Sequence, residues 1–144
     1  MSESLYETDF YAWANQQAEL LRAGRLSAAD IENIAEEIES MGKTEKRELV
    51  SRLAVLLLHL LKWRFQPERR GASWEATITV QRRDLVRHLR DDPSLKSKIA
   101  EAIEDAYGDA FLLAVAETGL PRPTFPLECP WSFEAIMDAE FWPE

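Results

Sequence analysis

Apolar residues recur along most of this chain at helical spacing, and between Leu53 and Leu61 the pattern closes up. The run LAVLLLHLL holds eight apolar residues and a single polar one, His59. A helix that is apolar nearly all round must be surrounded by protein, so the run predicts a buried central strut. Thr44 is placed to cap that helix, and Pro67 forbids its continuation beyond about Phe65.

The same periodicity places the other elements. A first helix spans about Asp9 to Ala23, with Phe10, Trp13, Ala14, Leu20 and Leu21 apolar and Gly24 as its stop. Ser27 and Asp30 make an S-x-x-D capping box ahead of the stripe Ile31, Ile34, Ile38 and Met41, and Gly42 is read as the end of that second helix. The fourth segment is ambiguous locally, because Thr77-Ile78-Thr79-Val80 has strand propensity. Helical spacing of Trp74, Ile78, Leu85 and Leu89 behind Ser73 decides for a helix. A fifth helix begins at Asp92-Pro93 or Ser94 and runs to Thr118 before Gly119. Its buried stripe is rich in alanine, which suits close helix–helix approach. Beyond Gly119, five of the seven prolines alternate with Phe125, Trp131, Phe133, Phe141 and Trp142. This reads as an extended arm (119–144) packed on the helices, with a short helix near Ser132 to Glu140. The expectation is an all-α, single-domain helical bundle over 1–144, with five main helices around a buried central helix (about 44–65).

Charge adds a second pattern. The net charge is −9, yet Lys62 to Arg90 carries 8 basic and 3 acidic residues, a balance of +5. Met1 to Leu61 balances at −5 and Asp91 to Glu144 at −9. A basic island inside an acidic chain is expected to neutralise acidic faces of the same molecule; the net charge disfavours nucleic acid as a partner. No apolar run reaches the roughly 18 residues of a membrane span. The acidic N-terminus has no signal-peptide pattern. The single cysteine, Cys129, excludes an internal disulfide and a Cys-based zinc site. These features point to a cytoplasmic protein.

The succession LYETDFYAWANQQAELLR, IAEEIESMGKTEKRELVSRL, HLLKWRFQPERRGASWEATI and FPLECPWSFEAIMDAEFWPE, in this order from Leu5 to Glu144, resembles the bacterial family known as domain of unknown function 29. The resemblance implies an all-α cytoplasmic bacterial protein and brings no catalytic residues, because the family has no established activity.

Three groups of residues have the chemistry of a site. On a helical wheel Thr77, Gln81, Asp84 and His88 flank one edge of the fourth helix's apolar stripe. If that edge meets the strut, His59, Gln81, Asp84 and His88 converge beside Trp63 and Trp74. Two histidines and a carboxylate can hold a ligand or move a proton, but a core histidine with one hydrogen bond has the same signature, and no metal is expected at His59 and His88 from so sparse a pattern. Second, Glu37 lies at the rim of the Ile31/Ile34/Ile38 face and is a candidate structural ion pair with Arg52. Third, Arg69 and Arg70 precede a helix N-terminus, where an anion is favoured; the competing expectation is that they clamp the acidic C-terminal arm through Glu128, Asp138 or Glu140. There is no glycine-rich phosphate loop, nucleophile elbow or H-E-x-x-H pair. The sequence therefore argues for a noncatalytic helical module that binds an unidentified protein or self-associates, without a cofactor. The alternative is a helical protein, or enzyme, that binds a small molecule or metal at the His59/His88 edge.

Overall fold

The computed structural model describes residues 4–144. It is all-α, with no strand among the described residues. The helices are α1 (Leu5–Thr8), α2 (Phe10–Arg22), α3 (Ile31–Phe65), α4 (Ala72–Asp91), α5 (Ile99–Thr118) and α6 (Phe133–Met137). Short 3-10 turns stand at Leu26–Ala28, Pro67–Arg69, Pro93–Lys98 and Arg122–Thr124. The chain gathers into two compact units, Met1–Thr44 and Glu45–Glu144.

In the first unit, local capping starts the helices. Ser4 Oγ accepts from the Tyr6 amide, and an Asp9 carboxylate oxygen accepts from the Ala12 amide. Trp13, the buried apolar residue of this unit, packs against Tyr6 and Phe10 at ring separations of 4.7 and 5.4 Å. Its Nε1 donates to Asp30, which also accepts from Asn33 Nδ2 at 2.8 Å. These bonds to its charged form hold the Asp30 carboxyl below its usual range, the Asn33 bond foremost. The Asp30 amide donates to Gln17 Oε1 at 2.7 Å, so this one residue joins α2 to the start of α3. Ser27 does not cap that helix; it sits inside the Leu26–Ala28 turn, and α3 begins at Ile31.

The second and third helices expected from the sequence are one helix. α3 passes through Gly42 and Thr44 without a break. Gly42 has no left-handed conformation there, and Thr44 Oγ1 donates to the Ser40 carbonyl one turn back rather than capping a new helix. A glycine inside a helix costs only about 1 kcal/mol, which the surrounding helix formers outweigh. Gly119, by contrast, does terminate α5, with φ 72°.

In the second unit the strut behaves as its apolarity demands. Leu53, Leu56, Leu57, Leu60 and Leu61 are completely buried, with Ala54 and Leu58 nearly so. α4 covers one side with Ile78, Leu85 and Leu89; α5 brings Ala102, Ala106, Ala110 and Ala114, all without exposure. The strand-like Thr77–Val80 segment is helical because Ile78 is buried and both threonine hydroxyls donate back to carbonyls, of Ser73 and Glu75. Helix α4 starts at Ala72, just ahead of Ser73.

The C-terminal arm closes the remaining sides. Ile136 is fully buried, Phe125 packs edge-on to Phe65 at 5.2 Å, and Trp142 lies against Trp63 at 4.7 Å. Arginines hold it by backbone oxygens rather than by the acidic side chains foreseen. Arg82, 5% exposed, donates from Nε to Ile136 O and from a terminal nitrogen to Phe141 O, both at 2.8 Å. Its guanidinium lies 5.4 Å from the Trp142 ring centre. Arg70 donates to Trp63 O at 2.6 Å and to Pro143 O at 3.1 Å, while Arg69 is exposed.

Two measurements check this account. A Cβ at Gly42 meets nothing within 4 Å, so Gly42→Ala should raise stability by about 0.5–1 kcal/mol in urea denaturation; a destabilised variant would mean that the helix breaks there. Arg82→Leu strands one buried and one part-buried carbonyl oxygen and should cost about 2–4 kcal/mol, with the arm beyond Gly119 becoming the first segment cut in limited proteolysis.

Candidate functional site

One polar edge of α3 faces one polar edge of α4 in the second unit. On α3, Glu45, Glu48 and Arg52 follow at spacings of three and four, which puts them on one side. On α4, Asp84, His88 and Asp92 do the same, Asp92 being the residue that ends the helix. Together with Arg87 and Asp91 these residues line a cleft of about 380 Å³.

His88 stands at its centre. Its side chain is 7% exposed, and Nε2 lies 2.9 Å from Glu45 Oε2, 3.7 Å from Asp92 Oδ2 and 4.0 Å from Glu48 Oε2. Its other ring nitrogen, Nδ1, is buried without a hydrogen-bond partner. Arg52 spans the two helices, at 2.6 Å from Glu48 Oε1 and 3.1 Å from Asp84 Oδ2. Glu45, His88 and Asp92 each offer one ligand atom, all within 4.8 Å of one another.

The edge expected from the sequence is thus divided. His88 and Asp84 reach the cleft, and Arg52 joins them. His59 does not. The pairs Arg52–Asp84 and Lys62–Trp74, the latter with Nζ 5.7 Å from the ring centre, show α3 and α4 running antiparallel. On that register His59 stands level with Thr77, about three turns, roughly 16 Å, from His88. Its Nδ1 instead donates to the Val55 carbonyl at 2.8 Å within α3. Gln81 is half-buried, with Oε1 unpartnered, outside the cleft lining. Trp63 is committed to Trp142, and Trp74 lies beneath Lys62. The Glu37–Arg52 pair does not form: Glu37 accepts from the Tyr6 hydroxyl at 3.2 Å, and Arg52 is taken by Glu48 and Asp84.

Glu45, Glu48 and Asp92 complete the cleft and were not singled out from the sequence. Glu45 and Glu48 at i, i+3 ahead of the apolar run, with His88 and Asp92 at i, i+4, are the spacings that carry the signal. The other reactive side chains are quiet. Burial pushes the Cys129 thiol up and the Tyr107 hydroxyl up to about 12, where it donates to Pro126 O.

A second hollow lies along the adjoining face of α4. Val86, 57% exposed, and Met137 of α6 form its floor; Arg83, Arg87 and Arg90 stand at its rim, around a volume of about 400 Å³. The basic island is therefore split in use: Lys62 pairs with Glu117 and Arg70 and Arg82 hold the arm, whereas these three arginines are exposed.

Burial holds the His59 imidazole below its ordinary pKa of 6.5, against the opposing pull of the Val55 carbonyl. A depressed folded-state value means that the unfolded chain takes up the proton first, so stability is lost as pH falls below about 6.5. Urea denaturation between about pH 7 and 5 should show wild type losing more stability than His59→Gln; equal losses would place the histidine in a solvated environment.

No curated protein and no solved structure matches the chain. The model of the family described as Domain of unknown function DUF29 matches residues 5–142, from α1 to Trp142 of the C-terminal arm. The helices, the cleft and all but the last two residues of the arm lie within that match, and the chain belongs to the DUF29 family.

Proposed function

We propose that this protein is a noncatalytic helical interaction module, and that its α4–α6 trough receives an acidic, apolar-faced helix of a partner protein. The observation that carries this reading is an apolar floor, Val86 and Met137, ringed by Arg83, Arg87 and Arg90 on a chain whose net charge is −9. An exposed valine between arginines gains from an apolar stripe that excludes water. The guanidiniums gain from carboxylates flanking that stripe. Laying an amphipathic helix in a groove satisfies both at once, and arginine is enriched at such surfaces. Phosphate backbones match the floor poorly, and the acidity of the remaining surface repels them. A next hollow continues the trough past Leu89 to Pro93, Lys96 and Phe133, giving it the length of more than one helical turn.

Among the described residues, no serine, threonine or cysteine side chain is hydrogen-bonded to a histidine or carboxylate side chain. The cleft and the trough are lined by carboxylates, arginines, one histidine, apolar groups and Thr79, whose hydroxyl donates to the Glu75 carbonyl. The family resemblance and the single cysteine support a bacterial cytoplasm as its setting.

A fluorescent helical peptide with apolar residues at i, i+3, i+4 and i+7 and glutamates elsewhere should bind the full chain, more weakly as salt rises. Val86→Glu and Arg83→Glu should each weaken binding by at least about tenfold, the size of a lost anchor. A lysine-faced version of the peptide should not bind. Failure of the acidic peptide to bind, or binding unchanged in both variants, would overturn the reading. Light scattering on the same samples tells a trough filled by a second copy from a free one: a dimer abolished by Val86→Glu would replace the foreign partner with self-association.

A further inference from the structure

The geometry points to a divalent metal site, zinc being the best match, formed by Glu45, His88 and Asp92 with Glu48 facing the fourth position. Its ligands are distinct from the residues of the trough, although Arg87 lines both hollows.

The donor set is the first argument. One imidazole nitrogen and carboxylate oxygens suit zinc and its first-row neighbours. A tetrahedral ion with ligands at about 2.0–2.1 Å has ligand atoms about 3.3 Å apart. Around His88 Nε2 the carboxylate oxygens lie at 2.9, 3.7 and 4.0 Å, distances that bracket that edge. Glu45, His88 and Asp92 also lie within 4.8 Å of one another, atom to atom.

The second argument is the imidazole itself. The His88 side chain is more than nine-tenths buried and directs Nε2 into a ring of carboxylates, while Nδ1 has no partner. Nε2 thus stands where oxygens of Glu45, Asp92 and Glu48 converge, the position that a metal ion's nitrogen ligand takes.

The third argument is charge. Arg52 neutralises Glu48 and Asp84. Among the described residues, the ion pairs of Glu45 and Asp92 involve no lysine or arginine, only His88. Both carboxylates also stand at the C-terminal end of α4, where the helix's free carbonyls add further negative potential and favour a cation. A doubly charged ion between Glu45, His88 and Asp92 answers all of these at once. Glu48 keeps Oε1 on Arg52 and has Oε2 available for the ion or for a water bound to it.

The full chain, made without an affinity tag and stripped with chelator, should take up one zinc per molecule in calorimetric titration and melt at higher temperature with zinc than without. Cobalt(II) should give the visible absorption of a tetrahedral N/O site. Glu45→Gln and Asp92→Asn, whose side chains are 43% and 41% exposed and so leave the fold intact, should each weaken zinc binding by at least about tenfold, and His88→Gln should abolish it. His59→Gln should leave it unchanged. No zinc uptake, or uptake that survives Glu45→Gln and Asp92→Asn, would overturn the site. So would zinc binding lost in His59→Gln but kept in His88→Gln. None of these results bears on the peptide-binding trough, whose floor and Arg83 rim share no residue with the metal ligands.

Discussion

A helix without a wet face has to be covered on every side, and the second unit is organised by how Leu53 to Leu61 is covered. α4 supplies large apolar residues, α5 supplies alanines that allow its backbone to come close, and the last side falls to the proline-rich arm. At about 25 cal/mol per Å² of apolar surface removed from water, a run of fully buried leucines is the dominant favourable contribution available to a unit of this size. The arm belongs to that core: Ile136 is as deeply buried as any leucine of the strut.

Covering the strut by a largely extended segment with only a five-residue helix creates a polar problem, since much of its backbone has carbonyls that no helix satisfies. Arg82 and Arg70 resolve it. Their planar, multi-donor guanidiniums each reach two backbone oxygens and lie over Trp142 and Trp63. A lysine would bring one point charge and no flat face. Much of the basic island is thereby consumed in holding the chain to itself, and the exposed arginines of α4, Arg83 with Arg87 and Arg90 beside Asp84 and Asp91, become the distinctive feature of an otherwise acidic surface.

The antiparallel register of α3 and α4 decides the chemistry. Helical periodicity showed that Gln81, Asp84 and His88 share an edge, and that His59 lies on the side of Arg52. Two wheels cannot say how far one helix is displaced along another. A shift of about three turns separates His59 from His88 and puts Glu45 and Glu48, ahead of the apolar run, opposite His88 and Asp92 instead. Arg52 was legible as an ion-pairing residue, but its partners, Glu48 and Asp84, were not.

By itself the sequence determined the elements and what must be buried: the all-α class, the strut from LAVLLLHLL, the alanine face of α5, the stop at Gly119 and an aromatic arm that packs rather than dangles. These follow from periodicity and local backbone preferences, which act within a few residues. Tertiary structure decided the rest. It carried α3 through Gly42, because one glycine's cost is small beside a continuing helix. It turned Arg82 inward to the arm's carbonyls, and it chose which polar residues of two helices would meet. Those outcomes depend on the displacement of one element against another, which no local pattern encodes.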